Sequence, residues 1–156
     1  MYTSPLCFQP LPPLLICTSV DSPDYISYFT NLRHLTFANL DYCRCDWWRD
    51  TEKCIGWVTL AILAIQSPIT HLTFEMLVHR ETDLHTIDWK AIDVLISTRG
   101  VLRSLVQVSV VFLDRVESED WDSKSIARPA TIRRLMPSTA MMGLLNVATR
   151  GPRMYP

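Results

Sequence analysis

Two stretches of the chain carry the same alternation of apolar and polar positions. Leu32-Arg33-His34-Leu35-Thr36-Phe37-Ala38-Asn39-Leu40 and Ile69-Thr70-His71-Leu72-Thr73-Phe74-Glu75-Met76-Leu77 both read apolar-x-His-Leu-Thr-Phe-x-x-Leu. Successive side chains of a strand point to opposite faces, so Leu and Phe of each copy share one face and His and Thr the other. Helical patterns precede both copies. Ser22-Pro23-Asp24 supplies an N-cap, a first-turn proline and an acidic group at the positive end, which predicts a short helix through Phe29. Ile55, Val58, Ile62 and Ile65 recur at helical spacing and predict a helix over Asp50–Gln66, capped by Asp50 or Thr51. Ser67-Pro68 ends it, because proline disfavours α geometry at the residue before it.

A third unit follows. Trp89, Ile92 and Leu95 or Ile96 share one face of a helix over Thr86–Thr98, with Thr86 as its cap and Gly100 as its stop. Val101–Leu113 is rich in β-branched residues and reads as one long strand. In a fourth unit, Ser125–Val147, Ile132, Leu135 and Met136 mark a helix, Pro137 ends it, and Met142–Val147 forms the last strand. Strands joined through helices pair in parallel with right-handed crossovers. The fold class is therefore α/β, a slab of about four helix–strand units with helices on one face of a parallel sheet. A doubly wound sheet is the alternative, but strands buried on both sides are almost wholly apolar, and His and Thr at alternate positions argue for an open face. The expected organisation is an apolar, proline-rich segment over 1–21, one repeat domain over 22–148 and a tail over 149–156.

Composition narrows the function classes. In 156 residues, Lys and Arg number 15 and Asp and Glu 16, a formal charge of −1 that argues against a nucleic-acid or anionic-lipid footprint. Hydrophobic residues make up 48% of the chain, enough for one core without disulfide staples. Cys7, Cys17, Cys43, Cys45 and Cys54 are odd in number and read as reduced thiols, which places the protein in the cytoplasm or nucleus. The start lacks a basic region before its apolar residues, and the apolar run Ile55–Ile65 is shorter than a bilayer span, so no membrane association is expected.

Candidate sites lie on the strands and in one loop. His34, Thr36, His71 and Thr73 stack side by side if the two copies are neighbours, and the third strand adds Gln107 or Ser109. An exposed sheet face of this kind is where repeat proteins bind partners. Trp47 and Trp48 are adjacent in a loop and could anchor a partner or pack over the sheet edge. Cys43-x-Cys45 with Cys54 falls short of the four ligands a structural zinc site takes, so no metal is expected. Asp114–Asp122 is an acidic loop and reads as a solvated connection. There is no Gly-x-Ser-x-Gly elbow, and with four glycines there is no phosphate cradle. The reading is a non-enzymatic domain with no cofactor and no small-molecule substrate, whose partner is a protein of unknown identity.

A family resemblance rests on motif order. Ser67-Pro68-Ile69 leads to Leu72 and Phe74; Ile87-Asp88-Trp89 leads to Ile92-Asp93 and Leu95; Leu102, Leu105, Val108 and Val110 follow; then come Leu135-Met136-Pro137 and Gly143-Leu144-Leu145-Asn146-Val147. Over Ser22–Val147 this resembles the leucine-rich-repeat-like C-terminal region of F-box proteins in mushroom-forming fungi. The units, at about 35 residues, exceed the 20–29 usual for leucine-rich repeats. Asn39 stands one position before the asparagine that ordinary repeats place after the strand. Leu11-Pro12-Pro13-Leu14-Leu15 is similar to an F-box opening, but no helical F-box follows it. The resemblance implies the substrate-recognition half of a ubiquitin-ligase receptor. The alternatives are an α/β enzyme with an unrecognised site, or a degenerate fragment without activity.

Overall fold

The computed structural model describes residues 14–17, 23–41, 51–78, 81–113 and 121–150. Five strands, β1 (Leu14–Cys17), β2 (His34–Asp41), β3 (His71–Leu77), β4 (Gln107–Leu113) and β5 (Leu145–Arg150), form one sheet in chain order. Every neighbouring pair is parallel. Between strands lie a 3₁₀ helix (Pro23–Tyr28), α1 (Thr51–Ala64), α2 (Trp89–Thr98), α3 (Trp121–Leu135) and α4 (Pro137–Met141). The molecule is thus an α/β slab of helix–strand units, as the alternation predicts.

One side of the sheet meets the helices. Leu35 and Phe37, Leu72, Phe74 and Met76, and Val108, Val110 and Phe112 join one buried cluster with Val58 and Ile62 of α1, Ile65 just after it, Trp89, Ile92 and Ile96 of α2, and Ile132 of α3. On β3 these buried residues alternate with half-buried His71, Thr73, Glu75 and Leu77 on the other side. Rings run across the rungs: Phe37 stacks on Phe74 with centroids 5.5 Å apart, and Trp57 and Trp89 meet them edge-on at 5.5 and 5.3 Å. Such pairs add about 0.5–1.5 kcal/mol each beyond their buried area.

Buried polar groups tie the units together. Ser67 Oγ accepts from the Leu32 amide at 3.1 Å and donates to the Phe29 carbonyl. The Arg99 guanidinium donates to the carbonyls of Ile62, Leu63 and Ile65, at 2.7, 2.9 and 3.3 Å, and so caps the C-terminal end of α1. Arg128 donates to the Val78 carbonyl and lies over the Phe112 ring.

Several boundaries differ from the sequence expectation. The sheet has one rung more, since β1 lies within the segment expected to precede the domain, and β5 runs to Arg150, past position 148. The long strand expected from Val101 begins at Gln107. Gly100–Ser104 is instead a 3₁₀ helix, whose tight turn lets Leu102 and Leu105, three apart, both enter the core. Thr86 is not the cap of α2: its hydroxyl donates to the Asp83 carbonyl and closes a 3₁₀ helix over Glu81–Thr86, while the Asp88 carboxylate accepts from the Ala91 amide at 2.9 Å. Pro137 ends one helix but also opens α4 at its first turn, where its missing N–H costs nothing. Gly143, at φ 70°, then turns the chain into β5, which starts at Leu145 rather than Met142.

The two copied segments are adjacent and in register from His34↔His71 through Phe37↔Phe74. They then slip. Leu40 faces Met76 and Asp41 faces Leu77, because β2 carries one extra residue between Phe37 and Leu40. The bulge turns Leu40 inward, where an unbroken alternation would have put Asn39.

Candidate functional site: the outer face of the sheet

The face away from the helices is built by strand parity. His34, His71 and Gln107 form one row across β2, β3 and β4. Thr36, Thr73, Ser109 and Asn146 form the next. Glu75, Val111 and Ala148 form a third, then Leu77, Leu113 and Arg150. All six strand residues singled out from the sequence therefore come together. Gln107 and Ser109 both join them, where the sequence left the third strand's register open. Trp47 and Trp48, the other two candidates, lie outside the described residues, as do Cys43 and Cys45.

The first row is tightly organised. The rings of His34 and His71 are 4.4 Å apart between centroids and tilted by 36°. His71 Nδ1 is 3.0 Å from Thr70 Oγ1, and that hydroxyl is 3.1 Å from the Arg33 carbonyl oxygen. Arg33 turns Nη1 to the Pro68 carbonyl at 2.8 Å. Gln107 Nε2 donates to Ser109 Oγ at 2.7 Å and so links the first two rows. The His34 pKa is held below the ordinary imidazole value. Burial is the larger cause, and the neighbouring His71 ring, which would repel a second positive charge, adds to it.

The first two rows are polar hydrogen-bonding groups without a carboxylate, lysine or arginine among them. In the third, Glu75 pairs with Arg150 Nη1 at 3.3 Å, a bridge that crosses β4 from β5 to β3. Val111 sits in register between Glu75 and Ala148 and is 7% exposed although it points away from the core. In β4 the buried positions run unbroken on both faces from Val108 to Phe112.

Sequence reasoning missed Thr70, Glu75, Asn146 and Arg150. Glu75 was accessible, since it shares parity with Thr73. Asn146 needed the start of β5, and Arg150 needed its end. Thr70 has no counterpart in the other copy, where Arg33 stands.

Among the described residues no group of three or more His, Cys, Asp or Glu side chains converges to hold a metal ion. No described helix is long and apolar enough to cross a membrane. On the helical side, an open groove of about 410 Å³ runs between α1 and α2, lined by Thr59, Leu63, Asp88, Lys90, Ala91, Val94 and Leu95. Its surface is mostly apolar, with Asp88 and Lys90 contributing charged groups. Comparison of the chain with protein-family models, with curated proteins and with solved structures found no match to any of them.

Proposed function

We propose that the protein is an interaction domain that captures a protein partner on the outer face of its sheet and has no chemistry of its own. The observation that carries this reading is the pair of polar rows, His34–His71–Gln107 and Thr36–Thr73–Ser109–Asn146, set in register over adjacent strands. Such rows offer donors and acceptors at the strand spacing of about 4.8 Å. They suit the backbone and polar side chains of an extended partner segment. The motif order resembling the repeat region of fungal F-box proteins supports the same role, as the substrate-recognition half of a ubiquitin-ligase receptor.

The test is a substitution on the face and one away from it. Thr73→Arg places a long charged side chain at the centre of the rows without touching the core. Lys90→Glu alters the exposed side of α2. Quantitative capture from cell extract should yield partners lost with Thr73→Arg and with His34→Ala/His71→Ala but kept with Lys90→Glu. Equal recovery by all four chains, wild type included, would remove the sheet face as the binding surface.

A further inference from the structure

We propose that His34 and His71 together chelate one transition-metal ion of the zinc, nickel and copper class at the polar end of the sheet face. Imidazole is the commonest protein ligand for these ions. Two of them stand on adjacent strands in direct register, with centroids 4.4 Å apart. A metal–nitrogen bond of about 2.0–2.1 Å in tetrahedral geometry sets the two ligating nitrogens about 3.3 Å apart. Both rings are half-buried at the surface. Chelation requires both rings to rotate about their side-chain bonds so that one nitrogen of each faces the same point, a change of side-chain torsion that leaves the strands in place.

The surroundings of His71 point the same way. The Thr70 hydroxyl donates to the Arg33 carbonyl oxygen, and the tautomer that completes this chain has Thr70 Oγ1 accepting from His71 Nδ1–H. That tautomer leaves the Nε2 lone pair unprotonated. Metal-binding histidines are held in this way, with the far ring nitrogen donating to an oxygen that fixes the ring. Two protein ligands leave the remaining coordination positions to water. Binding is therefore in the micromolar range or weaker, unlike a closed structural zinc site.

The chelate needs no partner protein, so it and the partner-capture reading fail separately. The experiment is calorimetric titration of zinc chloride into the full chain. A one-to-one binding event is expected, weakened by more than about tenfold in His34→Ala and equally in His71→Ala. Thr70→Val, which removes only the ring's anchor, should weaken it by a smaller factor. An event unchanged in both histidine variants, or lost in only one, overturns the chelate, as does the absence of binding up to millimolar zinc. A second readout needs no variant: one equivalent of paramagnetic Ni²⁺ should broaden the ring resonances of His34 and His71 together, before those of exposed His85. Broadening that spares either ring also overturns the proposal.

Discussion

Asp93, on α2, is 4% exposed, yet it is ionised and fully occupied. Its carboxylate accepts from the amides of Ser138 and Thr139 at 3.0 and 2.8 Å and from the Thr139 hydroxyl at 2.6 Å. It therefore caps the start of α4 from a different helix, where the neighbouring Met136 has no capping group. Burial alone raises its pKa, but the hydrogen bonds from Thr139 and Ser138 outweigh that and leave it below the usual carboxylate value. Asp93→Ala strands three donors and should cost about 2–3 kcal/mol in chemical denaturation. A group whose pKa is lower folded than unfolded stabilises the fold above the unfolded value and loses that contribution as pH falls through the folded one. Asp93→Asn should therefore flatten the acid limb of the stability profile below about pH 4. His34 follows the same sign in another window. Its proton binds more weakly in the folded chain, so stability declines as pH drops below about 6.5, and His34→Gln should remove that decline in melts taken between about pH 7 and pH 5.

The helices show how local pattern and tertiary contact divide their placement. The core stripe was legible: Val58 and Ile62 of α1 and Ile65 just past its end, predicted from spacing alone, are fully buried, while the side chain of Ile55, the fourth predicted position, lies outside the described residues. Ile62→Asp should abolish cooperative melting by circular dichroism, because an unpaired buried charge costs several kcal/mol against a stability of about 5–15. The end of α1 was not legible. Its last carbonyls are capped by Arg99, more than thirty residues on, across the next unit. Arg99→Met keeps the aliphatic stem and loses the donors, so a stability loss of about 1–2 kcal/mol is expected in urea titration. The motif around Ile87-Asp88-Trp89 and Ile92-Asp93 has a structural account of the same kind. Asp88 caps its own helix, Trp89 is buried with Nε1 donating to the Leu84 carbonyl at 2.6 Å, and Asp93 caps α4.

Among the described residues each unit packs against its sequence neighbours, and β1 and β5 are the outer strands of the sheet. At the β5 end the inward-facing Leu145 and Val147 are half-buried, where their counterparts on β3 and β4 are fully buried. Met141 is 89% exposed and Met142 47%, just before β5 in the chain. Strand edges with nearby apolar side chains promote association between chains. Sedimentation of the wild type should therefore depend on concentration. Met141→Glu should reduce that dependence with stability unchanged within about 0.5 kcal/mol, as for other surface substitutions. The polar sheet face is a different surface, so Thr73→Arg should leave self-association as it is.

Strand parity and helical period are properties of neighbouring residues, so they can be read along the chain. From them follow the parallel α/β slab, the inward Leu and Phe of both copies, and the outward pairs His34–His71 and Thr36–Thr73. What lay beyond reach is whatever depends on residues distant in the chain meeting in space. The bulge that turns Leu40 inward answers to a place in the core, not to the copied pattern. The 3₁₀ turn before β4, the first rung β1, and the caps supplied by Asp93 and Arg99 are likewise set by packing between units. So is the Glu75–Arg150 bridge, which spans a strand that belongs to neither residue. Short-range preferences of a few tenths of a kcal/mol decide what a segment can become, and burial of apolar surface with paired polar groups, at several times that energy, decides where it starts, stops and turns.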